Sequence, residues 1–407
     1  MTTPSIPKRL RLLVLSWNYP TSAAPQRGLW VERMCDAVSQ EADVHVIVPT
    51  PWVPPLMPLR SLSRFRTVPV GERRGGVTIH YPRVPGSIEY HTHALDARLS
   101  RRTLLRLARR LHAEQPFDLI HAHFVFPDGV VASEIGRALG IPVVTSEHAF
   151  WTPWLTDNRR QRRQVDAALP DLQRITCVSE FLRGDVESHL AGRVPTAVLP
   201  NVVDDQVFTI GDAPKDPDEV LYVGLVRGFK RIDVLVEGFA IARRSRPSLK
   251  LRILSANGFN AYGSNRRAMR DLIAEHGVGD AVSVVSGASP SAVAAAMQRA
   301  ALVAVSSSRR ETFCSVAAEA LACGTPLIIT RCGGPEEFVT ESDGVMVAAD
   351  DPVAFAAGIL RAIGRRETFD GAAMRARIVE RFGRDAWRAQ ALALYRAVVS
   401  AGRRPGA

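Results

Sequence analysis

The sequence predicts an α/β protein with parallel sheets in two domains, and three observations carry that prediction. Short apolar runs recur along the chain, each ending in polar residues and followed by a segment of helical spacing. Between Ile210 and Glu219 the pattern gives way to a polar stretch holding Gly211, Pro214, Asp216, Pro217 and Asp218, which reads as a linker. A length of 407 residues with 46% hydrophobic content is enough for two domains with cores of their own. The boundary is placed at 205/206, giving domains 1–205 and 206–383.

In the first half, residues 10–16 read as a buried strand, and a loop from Trp17 holds Pro25 and Gly28. A helix then carries Leu29, Val31, Met34, Cys35 and Val38, and residues 44–49 form the second strand. This βαβ unit lacks G-x-G-x-x-G, which argues against a dinucleotide site. Residues 50–76 are rich in Pro and Arg with weak periodicity and read as a mobile excursion. Residues 99–113 form a basic amphipathic helix with Leu104, Leu107, Ala108 and Leu111 on one face and Arg102, Arg106, Arg109 and Arg110 mostly elsewhere. Such a helix either covers the core of its own domain or lies on an anionic membrane. Residues 117–123 are a strand ending in His121 and His123 on one side. No third ligand stands at zinc spacing, so the pair is expected to line a cleft on the acceptor side. The strand at 141–147 ends at His148.

The second half opens with a strand at 220–224, then Lys230, then a helix with Ile232, Leu235, Val236, Phe239 and Ala240 at helical spacing. Strands at 250–255 and 282–285 and a helix from Pro290 follow. Asp216-x-Asp218 superficially matches a metal motif but precedes a strand, and reads as a solvated turn. The chemistry converges on residues 301–334. The apolar run 301–305 ends in three serines, a helix starts near Ser315 and stops at Gly324 with Pro326 beyond, and a second run at 327–330 leads to Gly333-Gly334. Open parallel sheets bind ligands outside the carboxyl ends of their strands. Glu311 sits in such a loop, and Glu319 lies about two turns into the helix. The helix-start N–H groups at Thr312, Phe313, Cys314 and Ser315 suit an anion such as a diphosphate. Spacing alone fits a helix-start acid beside a solvated glutamate equally well.

The Glu311-x7-Glu319 spacing, continued as Glu319-Ala-Leu-Ala-Cys-Gly-Thr-Pro and Gly333-Gly334-Pro335-Glu336-Glu337, resembles the pattern of retaining glycosyltransferases of family 4, the glycosyl transferases group 1. The resemblance covers essentially the whole chain. It implies the GT-B fold, two facing Rossmann-like domains with a cleft between them, and a C-terminal helix (384–407) packing back on the first domain. It also implies sugar transfer from a UDP- or GDP-sugar, with retention, to a lipid-linked, polysaccharide or other glycan acceptor. The implied catalytic residues are His148, Glu311 and Lys230. The implied donor-binding set is Gly28, Gly224, Arg227, Lys230, Glu311, Thr312, Phe313, Cys314, Ser315 and Glu319. The chain departs from the family pattern at Ala149, Val202 and Leu225, where two glycines and an arginine are usual. A nucleotide-sugar epimerase of the same fold and a catalytically inactive nucleotide-sugar or membrane-surface binding protein are the rival readings.

Charge and cysteine usage bound the partners. The net charge is +11, and between Arg60 and Arg110 twelve Arg face only Glu72, Glu89 and Asp96. That segment calls for an anionic partner, and without interleaved stacking aromatics it argues for phosphate or membrane surface rather than nucleic acid. The five cysteines show no C-x-x-C, which suits a reducing cytosol; no metal and no cofactor beyond the nucleotide-sugar co-substrate is expected. No run of ~18 apolar residues occurs, and residues 1–8 lack a signal-peptide apolar region. A cytoplasmic chain, peripheral at the inner membrane face, is the expectation.

Overall fold

The computed structural model describes residues 9–54, 63–85, 93–151, 158–225, 228–255, 266–308 and 310–402. It divides into two compact units, Met1–Pro200 with Trp387–Ala407 and Asn201–Ala386. The sequence-based boundary at 205 falls five residues from the first division.

In the first unit β1 (Leu10–Leu15), α1 (Leu29–Ser39), β2 (Ala42–Ile47), β3 (Thr50–Pro51), β4 (Gly71–Arg74), β5 (Val77–His80), β6 (Arg83–Val84) and α2 (His93–Glu114) come first. They are followed by β7 (Leu119–His123), α3 (Val130–Leu139), β8 (Val143–Glu147), α4 (Arg159–Ala168), β9 (Arg174–Cys177), α5 (Glu180–Leu190) and β10 (Thr196–Val198). Eight strands pair in the order β10-β9-β8-β7-β1-β2-β5-β4, parallel except for β4 with β5. Because β1 is buried at every residue, it reads as an unbroken run rather than an alternation. Its one charge, Arg11, pairs with Asp43 at 2.8 Å and lies over the Phe117 ring at 4.3 Å.

The second unit runs β11 (Asp216–Val223), α6 (Ile232–Ser245), β12 (Lys250–Ser255), α7 (Arg266–Glu275), β13 (Val282–Ser286), α8 (Pro290–Arg299) and β14 (Ala300–Val305). It continues with α9 (Ser315–Ala322), β15 (Leu327–Thr330), β16 (Gly344–Val347), α10 (Pro352–Gly364) and α11 (Gly371–Phe382). Six parallel strands take the order β13-β12-β11-β14-β15-β16. Counted from β11 this is 3-2-1-4-5-6, the doubly wound order, and the winding reverses between β11 and β14. The first sheet reverses in the same way between β1 and β7. These two reversal points, outside the strands' carboxyl ends, are where each sheet leaves room for a ligand.

A last helix, α12 (Arg384–Gly402), belongs to the first unit from Trp387 onward. Trp387 is fully buried, its Nε1 donating to the Pro200 carbonyl at 2.6 Å, and the Tyr395 hydroxyl lies 2.8 Å from His121 Nδ1.

Three expectations are corrected. The stretch 50–76 is not wholly irregular: β3 pairs with β6, and β4 extends the sheet through β5, while residues 55–62 lie outside the described residues. The helix at 99–113 starts earlier, at His93; of its two readings the core-covering one holds, with Leu104, Ala108 and Leu111 buried within the unit. Asp216 and Asp218 are no solvated turn: they begin β11 and pair with Lys250 at 2.9 Å and Arg246 at 2.6 Å. Among the described residues no helix is long and apolar enough to cross a membrane.

Trp387→Ala should cost about 3–5 kcal/mol, as full truncation of a buried aromatic does. Trp387→Phe, which keeps the ring but orphans the Pro200 carbonyl, should cost about 1–3 kcal/mol. Urea unfolding of the two variants, followed by circular dichroism, checks that order.

Candidate functional site

In the second unit the site grows from the loop after β14. Ser306 Oγ donates to the Lys230 carbonyl at 2.8 Å, and Ser308 donates to the Phe229 carbonyl through N at 2.8 Å and Oγ at 3.1 Å. The serines that end the apolar run thus clamp the loop carrying Lys230. Lys230 Nζ then meets Glu311 Oε1 at 2.6 Å, and Ser307 Oγ donates to the same oxygen. Burial draws the Lys230 ammonium down, but Glu311 with Cys314 and Tyr222 outweighs it and holds the group above its ordinary value. Glu311 itself is fixed by its backbone, its N–H donating to the Cys332 carbonyl at 2.9 Å and its carbonyl accepting from Gly334 at 2.8 Å. The approach is close enough that a Cβ on Gly334 would lie 2.1 Å from the Thr312 carbonyl oxygen. Glycine is required there by space. Glu319 is buried on α9, and Cys314 caps that helix in the left-handed region with φ 65°.

In the first unit the organising group is Glu147, fully buried at the end of β8. Its Oε1 accepts from the N–H of His148 at 2.9 Å and of Ala149 at 3.1 Å. Its Oε2 accepts from Val125 N–H at 3.1 Å and Trp151 Nε1 at 2.8 Å. Burial raises the Glu147 carboxyl, and these four donors oppose the rise. His148 is half-buried, its Nε2 3.1 Å from His123 Nδ1 with the rings stacked at 26°. Burial, then His121 and His148, hold His123 well below the usual imidazole range. At the reversal point, Asp128 Oδ1 accepts from Trp17 N–H at 2.7 Å, and Gly28 starts α1 in the left-handed region against the Asn18 carbonyl.

A family model described as Glycosyl transferases group 1 matches residues 204–380, and one described as Glycosyltransferase Family 4 matches residues 23–207. This chain belongs to the family 4 glycosyltransferases. It is 30% identical over 269 residues to the D-inositol 3-phosphate glycosyltransferase of Stackebrandtia nassauensis, a match covering 60% of each chain. The chain therefore spans about 60% of the length of the first curated relatives it matches. Sucrose-phosphate synthase of Thermosynechococcus elongatus superposes with a TM-score of 0.77 at 20% identity, covering 97% of this chain and 100% of the other. Anabaena HepE, solved with UDP, superposes with a TM-score of 0.70 at 16% identity, covering 95% and 100%. At these identities the likeness is one of fold, and the fold is GT-B.

The predicted residues separate into groups. Lys230, Glu311, Thr312, Cys314, Ser315 and Glu319 gather in the second unit around the β14–α9 loop, and Gly224 directly follows β11 of the same sheet. Arg227 lies outside the described residues. Phe313 packs its ring against Phe338 at 5.3 Å and Phe382 at 5.2 Å, so its side chain is core and its backbone N–H is what it retains for an anion. The Cys314 thiol is pushed up to about 12, by burial first and then by Glu311, and stays neutral. His121 is corrected: Ser146 Oγ at 2.7 Å and Tyr395 Oη at 2.8 Å occupy both its ring nitrogens, which removes it from contact with an acceptor. His123 lies behind His148 and orients it.

Two departures from the family pattern find physical reasons. Ala149 is absent from the left-handed residues, so it needs no glycine once Glu147 holds its N–H. Leu225 offers its carbonyl to the Tyr222 hydroxyl at 2.9 Å, which closes the loop after Gly224. Sequence reasoning assigned no role to Glu147 or to the three serines. A carboxylate at the carboxyl end of a buried strand, and a Ser-Ser-Ser run directly after another, were the available signals.

His121 gives a pH test. Burial, then His148, pushes it down to about 3, from 6.5 in an unfolded chain. The folded state therefore resists protonation, and stability is lost as pH falls below 6.5 toward 3. Asp128 and Glu147, both raised by burial, act in the opposite sense but equally in wild type and variant. The stability gap between wild type and His121→Asn should shrink by about 2 kcal/mol from pH 6.5 to about pH 5. Urea titrations at both pH values measure it, and a gap independent of pH would refute the neutral buried imidazole.

Proposed function

We propose that this chain transfers a sugar from a UDP-sugar to a hydroxyl of a phosphorylated polyol or sugar, with the anomeric configuration kept. The Lys230–Glu311 pair at the reversal point of the second sheet, with Glu311 buried and eight residues before Glu319, carries the reading. A diphosphate is a stronger partner for Lys230 than one carboxylate, and the N-terminal N–H groups of α9 add to its pull. Lys230 turning to the phosphates releases the Glu311 oxygens for hydroxyls of the donor sugar, while Glu319 accepts from the ribose hydroxyls. Charge on the leaving phosphate is met by groups already held in place by Ser306 and Ser308, and such preorganisation is the main lever available to this site.

The chemistry that fits is a front-face displacement. The acceptor oxygen forms its bond to the anomeric carbon on the face that the diphosphate leaves, and the departing phosphate oxygen takes the acceptor proton. In the first unit His148 is held in place by His123 and by Glu147. Lys230 and the helix-start amides supply positive charge by themselves, so the reading requires no metal. UDP is favoured over GDP because Anabaena HepE is solved with UDP and with UDP-glucose. The names D-inositol 3-phosphate glycosyltransferase and sucrose-phosphate synthase support a phosphorylated polyol or sugar as acceptor rather than a polysaccharide.

Calorimetric titration with UDP and GDP tests the donor half. UDP should bind wild type, and Lys230→Gln and Glu319→Ala should each weaken it by about tenfold or more. Glu311→Gln should keep UDP affinity within about threefold yet lower turnover by about a hundredfold or more, because its role is exerted on the sugar. Binding of neither nucleotide to wild type overturns the proposal.

A further inference from the structure

Between α2, α3 and α4 the first unit holds a pocket of about 680 Å³ walled wholly by helix side chains. Five of its twelve lining residues are arginines: Arg98 and Arg101 from α2, Arg137 from α3, Arg160 and Arg163 from α4. The lining holds a single acid, Glu134. The chain has 52 Lys plus Arg, of which only Lys8, Lys215, Lys230 and Lys250 are lysine, so its overall arginine content would place one or two in twelve positions. Glu134 takes Arg101 at 2.9 Å, and Arg137 reaches Asp171 at 3.6 Å. Arg98, Arg160 and Arg163 are left with no ion pair among the described residues.

The sequence of α4 makes the same point independently. Arg159, Arg160, Arg162 and Arg163 fill four of its first five places behind the Asn158 cap, and its first turn has no acid. A helix N-terminus favours acids, and like charges three or four residues apart repel, so this helix is built against its own electrostatics. Asp166 relieves Arg162 at 3.2 Å. Arg160, Arg163, Gln164 and Ala167 form the stripe that faces the pocket, while Gln161 and Val165 are buried. Positions that break local rules and also line a cavity are where function is expected.

We propose that this pocket binds a ligand carrying two or more phosphate groups. Guanidinium forks match phosphate oxygens in pairs, and arginines from three helices around one space suit several phosphates rather than one. None of Trp17, Gly28, His123, Glu147 or His148 lines the pocket, so it is separate from the strand-end site. Two sources share this chemistry, a soluble organic phosphate and the headgroup of an anionic lipid. Because the apolar face of α2 is buried, contact with a lipid surface would be electrostatic and salt-sensitive rather than insertive.

The full chain and its Arg98→Gln/Arg160→Gln/Arg163→Gln variant separate these outcomes. Inorganic pyrophosphate is titrated by calorimetry with UDP in excess, which masks the donor site. Flotation with phosphatidylcholine vesicles, with and without phosphatidylglycerol, runs in parallel. Pyrophosphate binding that falls about tenfold or more in the variant supports a soluble ligand. Flotation that needs phosphatidylglycerol, is lost in high salt and is lost in the variant assigns the site to a lipid headgroup. The variant should melt no lower than wild type, since it loses like-charge repulsion. Absence of both bindings in wild type, or bindings equal in the variant, overturns the proposal, whatever becomes of the donor reading.

Discussion

The contact between Lys230 and Glu311 is the constraint on which the second unit's site depends. Two charges taken out of water cost several kcal/mol each, and their mutual attraction repays this only when the remaining donors and acceptors are satisfied. The surroundings supply that satisfaction. Ser307 adds a donor to Glu311, Ser306 and Ser308 fix the backbone that presents Lys230, and Gly334 lets two loops meet at bonding distance. An ion pair of this kind is a poor way to gain stability, since a hydrophobic pair of equal volume often does as well. It is a good way to keep a cation and a carboxylate in register until a stronger anion arrives.

The first unit solves a parallel problem with one carboxylate. Glu147 receives four hydrogen bonds from the segments after β7 and β8, so one buried side chain sets where His148 stands. The backbone is strained at both sites. Phe124, Arg231 and Cys314 adopt positive φ without being glycine, at 74°, 46° and 65°. Each such residue costs about 1–3 kcal/mol and persists only where its surroundings dictate it. All three border the loops just described.

Much of this was legible in the residues, and the limits were physical. Buried parallel strands announce themselves as apolar runs, so β1, β12, β14 and β15 were placed almost to the residue. The Glu311 loop was legible because glycines, a helix start and two spaced acids coincide there. Long-range partners were not: nothing near His121 in sequence signals that Tyr395, 274 residues away, will occupy its Nδ1. Glu147 was hidden for a similar reason, because three of its four donors are backbone N–H groups, which carry no sequence signal. The amphipathic pattern of α2 was correct as a pattern but could not say which surface would cover its leucines.

The placement of α12 has a consequence for biosynthesis. The first unit is completed by residues from Trp387 onward, so its chain is not contiguous. A ribosome delivers the second unit whole before it delivers the segment that fills the space beneath β7. Through most of translation the Pro200 carbonyl lacks its Trp387 donor, and the His121 ring lacks the Tyr395 hydroxyl. The first unit, begun before the second, is therefore completed only by residues made after it.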